Sequence, residues 1–153
     1  MQNEQPNVAG QYQTLLIIWA ASLISQFLFL LMIFVIKREL YNFDLTQPIG
    51  GKEPMITAAL AVVAVSSFVV SFIFRKRHIR QAVEQQKTEL VQTGLIRGIA
   101  FCEVSTLLGV YSAFSFDYNY FFLFIALGIL GILLHFPKRD DLMAASFKRS
   151  SGQ

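Results

Sequence analysis

The chain has 153 residues, room for one compact unit or a small bundle and too little for two ordinary soluble domains. It is 54% apolar or aromatic and only 15% charged, with a net charge of +3; a soluble domain carries roughly 25% charged residues, and apolar content this high also excludes a disordered chain. A single Cys excludes an internal disulfide and a Cys-based metal cluster.

In chain order, the first apolar run is Thr14–Ile36, with no charge inside it and Lys37 and Arg38 at its end. As a helix it rises roughly 34 Å, enough to cross a hydrocarbon core of about 30 Å. A secretory signal peptide does not fit, because residues 1–13 hold no Lys or Arg and the apolar stretch is too long. The second run, Met55–Phe74, enters through Gly50, Gly51 and Pro54 and stops at Arg75, Lys76 and Arg77. Its Thr57, Ala61, Ala64 and Ser71 recur at helical spacing and make one face small, as suits close helix packing in lipid.

Residues 75–93 contain no Gly or Pro and favour a helix continuing into the cytosol. Gly94 is expected to break it ahead of the third span, so that the Gly94/Gly98 pair reads as a cap rather than a packing device. The third run, Leu95–Phe114, is the least apolar; the fourth, Tyr120–Phe136, ends at Pro137, Lys138 and Arg139. The short polar turn 115–119 between them requires an antiparallel hairpin, with Tyr111, Tyr118 and Tyr120 at that end.

The expected fold is therefore all-α: an integral membrane four-helix bundle of two antiparallel hairpins, with a cytosolic helical extension between spans 2 and 3. One transmembrane domain covers 14–136 (spans 14–36, 55–74, 95–114 and 120–136), flanked by cytosolic tails at 1–13 and 137–153. Segments 1–13 and 142–153 read as mobile tails. Orientation follows from the cations. Arg75, Lys76, Arg77, Arg80, Lys87, Arg97, Lys138, Arg139, Lys148 and Arg149 share one side, and only Lys37, Arg38 and Lys52 lie on the other. The positive-inside rule puts both termini in the cytoplasm of a multi-pass cell-membrane protein.

Glu103 is the residue with most chemical potential. It lies roughly 12 Å inside the third span by helix rise, where acids are rare and face a bundle interior, a partner or a water path. It reads either as an ion or proton site, or as a hydrogen-bonded acid locking the packing with Gln26, Ser66 or Ser67. Gln26, at the middle of the first span, needs a hydrogen-bond partner, which Glu103 or a second copy would supply. Arg97 is a poor partner for Glu103, being about 120° away around the helix.

Cys102 reads as a small packing residue, His78 as a solvated member of the basic run, and His135 as an interfacial ring. The two His do not make a metal site. Arg75, Lys76, Arg77 and Arg80 orient the protein and are candidate contacts for anionic lipid. No nucleotide, hydrolase or metalloprotease motif is present, so neither an enzyme nor a cofactor is expected, and no nucleic-acid partner.

The stretch 97–103 followed by Leu108-Gly109-Val110 resembles the acid-bearing helix of rotary-ATPase proteolipid subunits, in which a mid-membrane glutamate precedes a glycine by six positions, as Glu103 and Gly109 do. The resemblance implies a rotor-ring site at which Glu103 binds and releases H⁺ or Na⁺. The chain departs from that family in its Leu- and Phe-rich first span, in an acid on the third span rather than the last, and in the side on which its termini lie. The overall pattern is also similar to small four-span bacterial membrane proteins with no assigned mechanism. The functional expectation is a non-enzymatic structural or accessory subunit partnered by the bilayer and by itself or another membrane subunit. The alternatives are a proton- or cation-handling subunit centred on Glu103 and, third, a recruiter of soluble proteins through the basic cytosolic helix.

Overall fold

The computed structural model describes residues 8–41, 46 and 48–146; the ends of both expected tails, including Lys148 and Arg149, lie outside the described residues. Five α-helices follow one another: α1 Val8–Ile36, α2 Pro54–Gln85, α3 Glu89–Phe116, α4 Phe121–Leu134 and α5 Arg139–Ser146, with a short 3₁₀ turn at Arg38–Tyr41 after α1. Among the described residues every regular element is helical, and the chain is a small multi-pass membrane protein. α1, α2 and α3 are long and apolar enough to cross a membrane. α4, with 14 residues, rises only about 21 Å. By length and composition a fourth candidate span is met only when α4 is counted together with α5, which it joins at a bend of 47°.

The packing differs from two sequential hairpins. α2 lies along α3, α3 lies along α4, and α1 packs on α3 and α4 while scarcely touching α2. The α3–α4 hairpin is thus the shared centre, with α1 and α2 flanking it. The physical reason is the face each helix offers. α3 presents Gly94, Gly98, Cys102, Ser105, Thr106, Gly109, Ser112 and Ala113 to the interior, small enough to seat neighbours closely. α1 is bulky all round and buries only Leu15, Gln26 and Ile33.

The extension between spans 2 and 3 also takes another form. Its helix breaks at Gln86, which adopts the left-handed conformation (φ 53°, ψ 45°) and whose N–H bonds back to the Ala82 carbonyl. Residues 75–85 extend α2 and 89–93 begin α3, so the segment is itself the tip of a helical hairpin. Gly94 lies inside α3, fully buried against His78: a Cβ there would stand 2.7 Å from the His78 Cβ. Gly94 and Gly98 are packing positions and not a cap.

The C-terminal segment is not a free tail over its described part. α5 packs on α2, α1 and α3 with Leu142 and Ala145 buried. Asp140 and Asp141 in its first turn favour the positive end of the helix dipole. Residues 8–13, expected as tail, are the first turns of α1.

The α3–α4 turn is as expected. Asp117 caps α3 in the left-handed region (φ 49°), a conformation Asp tolerates better than most residues. Its carboxylate takes a hydrogen bond from Lys37 at 2.5 Å. That bond, outside the spans, holds Asp117 below the ordinary carboxyl range and Lys37 above the ordinary ammonium value. The Tyr118 hydroxyl donates to the Ile49 carbonyl at 2.6 Å, which fastens the α1–α2 connection to the same turn.

Candidate functional site

Two polar groupings lie inside this frame. The first runs along the seam between α1 and α3, where Ser22 and Gln26, one turn apart on α1, face Glu103 and Thr106 on α3. The helices run parallel, so the rungs keep their order. Glu103 stands beside the Ser22 hydroxyl, and the Thr106 hydroxyl donates to Gln26 Oε1. Gln26 is fully buried, at 0% exposure, and its amide N–H₂ reaches the Ser22 carbonyl at 3.4 Å and Ser25 Oγ at 3.3 Å. Trp19 adds a third tie, its Nε1–H donating to the Ile132 carbonyl of α4 at 2.7 Å. Gln26 and Glu103 therefore share a seam but do not bond each other, and the partners of Glu103 are not Ser66 or Ser67. Ser22 and Thr106 are the members that sequence reasoning missed; their only signal was being polar at matching depth in long apolar runs.

The second grouping sits where α2, α3 and the end of α4 converge. His135 is fully buried, at 0% exposure, and not at an open interface. Gly98 makes this possible, because a Cβ there would meet the His135 ring at 2.5 Å. The ring lies 4.7 Å from Phe72. Its Nδ1 faces the Gly131 carbonyl at 2.7 Å and so carries the proton, while Nε2 is buried without a hydrogen-bond partner among the described residues. Cys102 Sγ lies 3.5 Å from Ser71 Oγ and 3.9 Å from His135 Nδ1. Ser105 donates to the Ala64 carbonyl at 3.2 Å. The small face of α2 expected from Ala64 and Ser71 is the one in contact with α3.

His78 also departs from its expected solvated place. It is 8% exposed, tucked over Gly94, with Nδ1 on the Phe74 carbonyl at 2.8 Å. That contact fixes the proton on Nδ1, so Nε2 accepts from Arg97 Nη1 at 3.1 Å. Arg97 thus serves His78 and not Glu103.

The basic run divides by use. Arg75 donates from Nη1 to the Leu134 carbonyl at 3.2 Å and from Nη2 to the Phe136 carbonyl at 2.8 Å, and stands 3.8 Å from Asp141. It closes the C-terminal end of α4, whose last carbonyls otherwise lack partners, and ties α5 to α2. Lys76, Arg77 and Arg80 are exposed, Arg80 lying 3.8 Å from Glu84.

Among the described residues no group of three or more His, Cys, Asp or Glu side chains is placed to hold a metal ion. What the arrangement offers chemically is hydrogen bonding between helices and one half-buried carboxyl. Comparisons with protein-family models, curated proteins and solved structures find no match.

Proposed function

We propose that this multi-pass membrane protein is a non-enzymatic structural or accessory subunit of a membrane assembly, with both termini in the cytoplasm. One observation carries the reading: polar side chains inside the spans are engaged with the chain's own helices, Gln26 with Thr106, Trp19 with the Ile132 carbonyl and Ser105 with the Ala64 carbonyl. A partner would then be met by the apolar outer faces, such as Ile17, Ile24, Phe27, Leu28 and Leu31 of α1, all more than half exposed.

The second reading makes Glu103 the ion site of a proton- or cation-handling subunit. It is favoured by the half-buried position of Glu103 beside a hydroxyl at the edge of the bundle. Glu103→Gln separates the two. The amide keeps the size and the capacity to bond Ser22 but cannot titrate, so a structural role predicts an unchanged melting temperature and assembly. Glu103→Leu removes the polar group beside Ser22 and costs about 1–2 kcal/mol if Glu103 is structural. Loss of proton flux in proteoliposomes by a normally folded Gln variant would replace the first reading with the second.

Orientation rests on the excess of Lys and Arg at the end that holds the α2–α3 tip and α5. Reporter fusions after the C-terminus and within 42–52 should report opposite sides, the former cytoplasmic. A C-terminal reporter active outside the cell would refute the orientation.

A further inference from the structure

We propose that the cleft where the bent α4–α5 corner meets α2 is a binding site for the phosphate headgroup of an anionic phospholipid. The cleft holds about 310 Å³ and is lined by Phe72, Arg75, Lys76, Leu134, Lys138 and Asp141, among others. It lies where the apolar part of α2 gives way to charge, at Phe74-Arg75, which is the depth of lipid phosphates.

Its charges are unbalanced in favour of an anion, with three cations against one carboxylate. Asp141 faces Arg75 at 3.8 Å, and the guanidinium is already directed at the Leu134 and Phe136 carbonyls. Arg75 therefore shapes the site and holds Asp141. The two ammonium groups, Lys76 from α2 and Lys138 from the α4–α5 bend, have no ion-pair or hydrogen-bond partner among the described residues. They stand on separate elements that meet at the cleft, so an anion there joins them.

The wall supplies the second half of the recognition. Phe72 and Leu134 line the cleft on its membrane side, and Leu134 is 54% exposed, which offers an acyl chain a surface leading away from the cations. A soluble phosphate satisfies the lysines and leaves this wall in water. A zwitterionic lipid covers the wall but brings its own cation to the lysines. An anionic phospholipid meets both halves. Arg77 and Arg80, although part of the same basic run, do not line the cleft, which separates this site from a general attraction of basic surface to acidic membranes.

The test uses the full chain in nanodiscs of phosphatidylcholine with and without phosphatidylglycerol, and native mass spectrometry to measure the phosphatidylglycerol retained after release. Each cation near the surface is worth about a fivefold change in lipid binding. Lys76→Gln with Lys138→Gln is expected to lower preferential retention about 25-fold. Arg77→Gln with Arg80→Gln, an equal change in formal charge, should lose clearly less, because neither side chain lines the cleft and Arg80 faces Glu84. Circular dichroism checks that both variants fold. Equal losses in the two double variants would reduce the effect to non-specific basicity and overturn the site, as would full retention in the lysine variant. Displacement of the lipid by inorganic phosphate alone would overturn the role of the apolar wall and leave a simple anion site.

Discussion

Gly98→Ala is expected to destabilise the bundle by about 1–3 kcal/mol, although alanine is the better helix former. In an exposed helix the change would stabilise by up to about 1 kcal/mol. Here the added Cβ would stand 2.5 Å from Cδ2 and 2.6 Å from Nε2 of His135, well inside contact distance. The ring is not free to yield, because its Nδ1 is held by the Gly131 carbonyl and Phe72 lies against it. Gly98→Leu should be worse still, and should part α4 from α3. The paired variant Gly98→Ala/His135→Ala supplies the control. Removing the ring makes room for the new methyl, so the two costs should sum to less than their separate values, with a coupling of about 0.5–3 kcal/mol. Thermal unfolding in detergent of both single alanine variants and the double variant measures the coupling, and a rise in melting temperature for Gly98→Ala alone would refute the contact.

Arg75→Ala is expected to release α5. The substitution removes two charge-assisted bonds, to the Leu134 and Phe136 carbonyls, and the nearby charge facing Asp141. The cost should be about 2–4 kcal/mol. Arg75→Lys should restore little of it, since one ammonium cannot span both carbonyls as the planar fork does. Limited trypsin digestion reads the effect directly, because Lys138 and Arg139 lie in the bend that Arg75 closes. Faster cleavage there, ahead of global unfolding, is the expected result. Unchanged cleavage would mean that the burial of Leu142 and Ala145 holds α5 without Arg75.

The long apolar runs were legible in the sequence because hydropathy and terminal charge are local properties, and α1, α2 and α3 contain the first three expected spans. Pairing was not legible. Consecutive spans usually pack together, yet α1 passes over α2 because the complementary small residues lie on α3. The break at Gln86 carried no glycine or proline to announce it, whereas Gly94, which looked like punctuation, fills a place set by His78 on another helix. The burial of both histidines has the same origin: each sits over a glycine distant in sequence, and the vacancy belongs to the pair. α5 did leave a trace, a proline followed by two aspartates and an apolar pair at helical spacing, but eight residues on a predicted tail are too short to show a face. At the candidate site, Glu103 and Gln26 could be singled out by depth alone. Their partners Ser22 and Thr106 could not, because that requires knowing that α1 and α3 are neighbours and parallel.

The placement of α1 has a consequence for how the protein is made. Of the five helices α1 is made before the others, yet it packs on the third and fourth, and Gln26 finds Thr106 eighty positions later in the chain. At about 5–20 residues per second, synthesis of that interval takes on the order of 4–16 s. Throughout it α1 must remain in the bilayer without its final neighbours. Its composition suits that wait: it has no charged residue over its whole length, and Gln26 has the Ser22 carbonyl and the Ser25 hydroxyl of its own helix within reach as temporary partners. The seam between α1 and α3 therefore closes only after α3 has been made, and its polar rungs set the register in which a helix already inserted is captured.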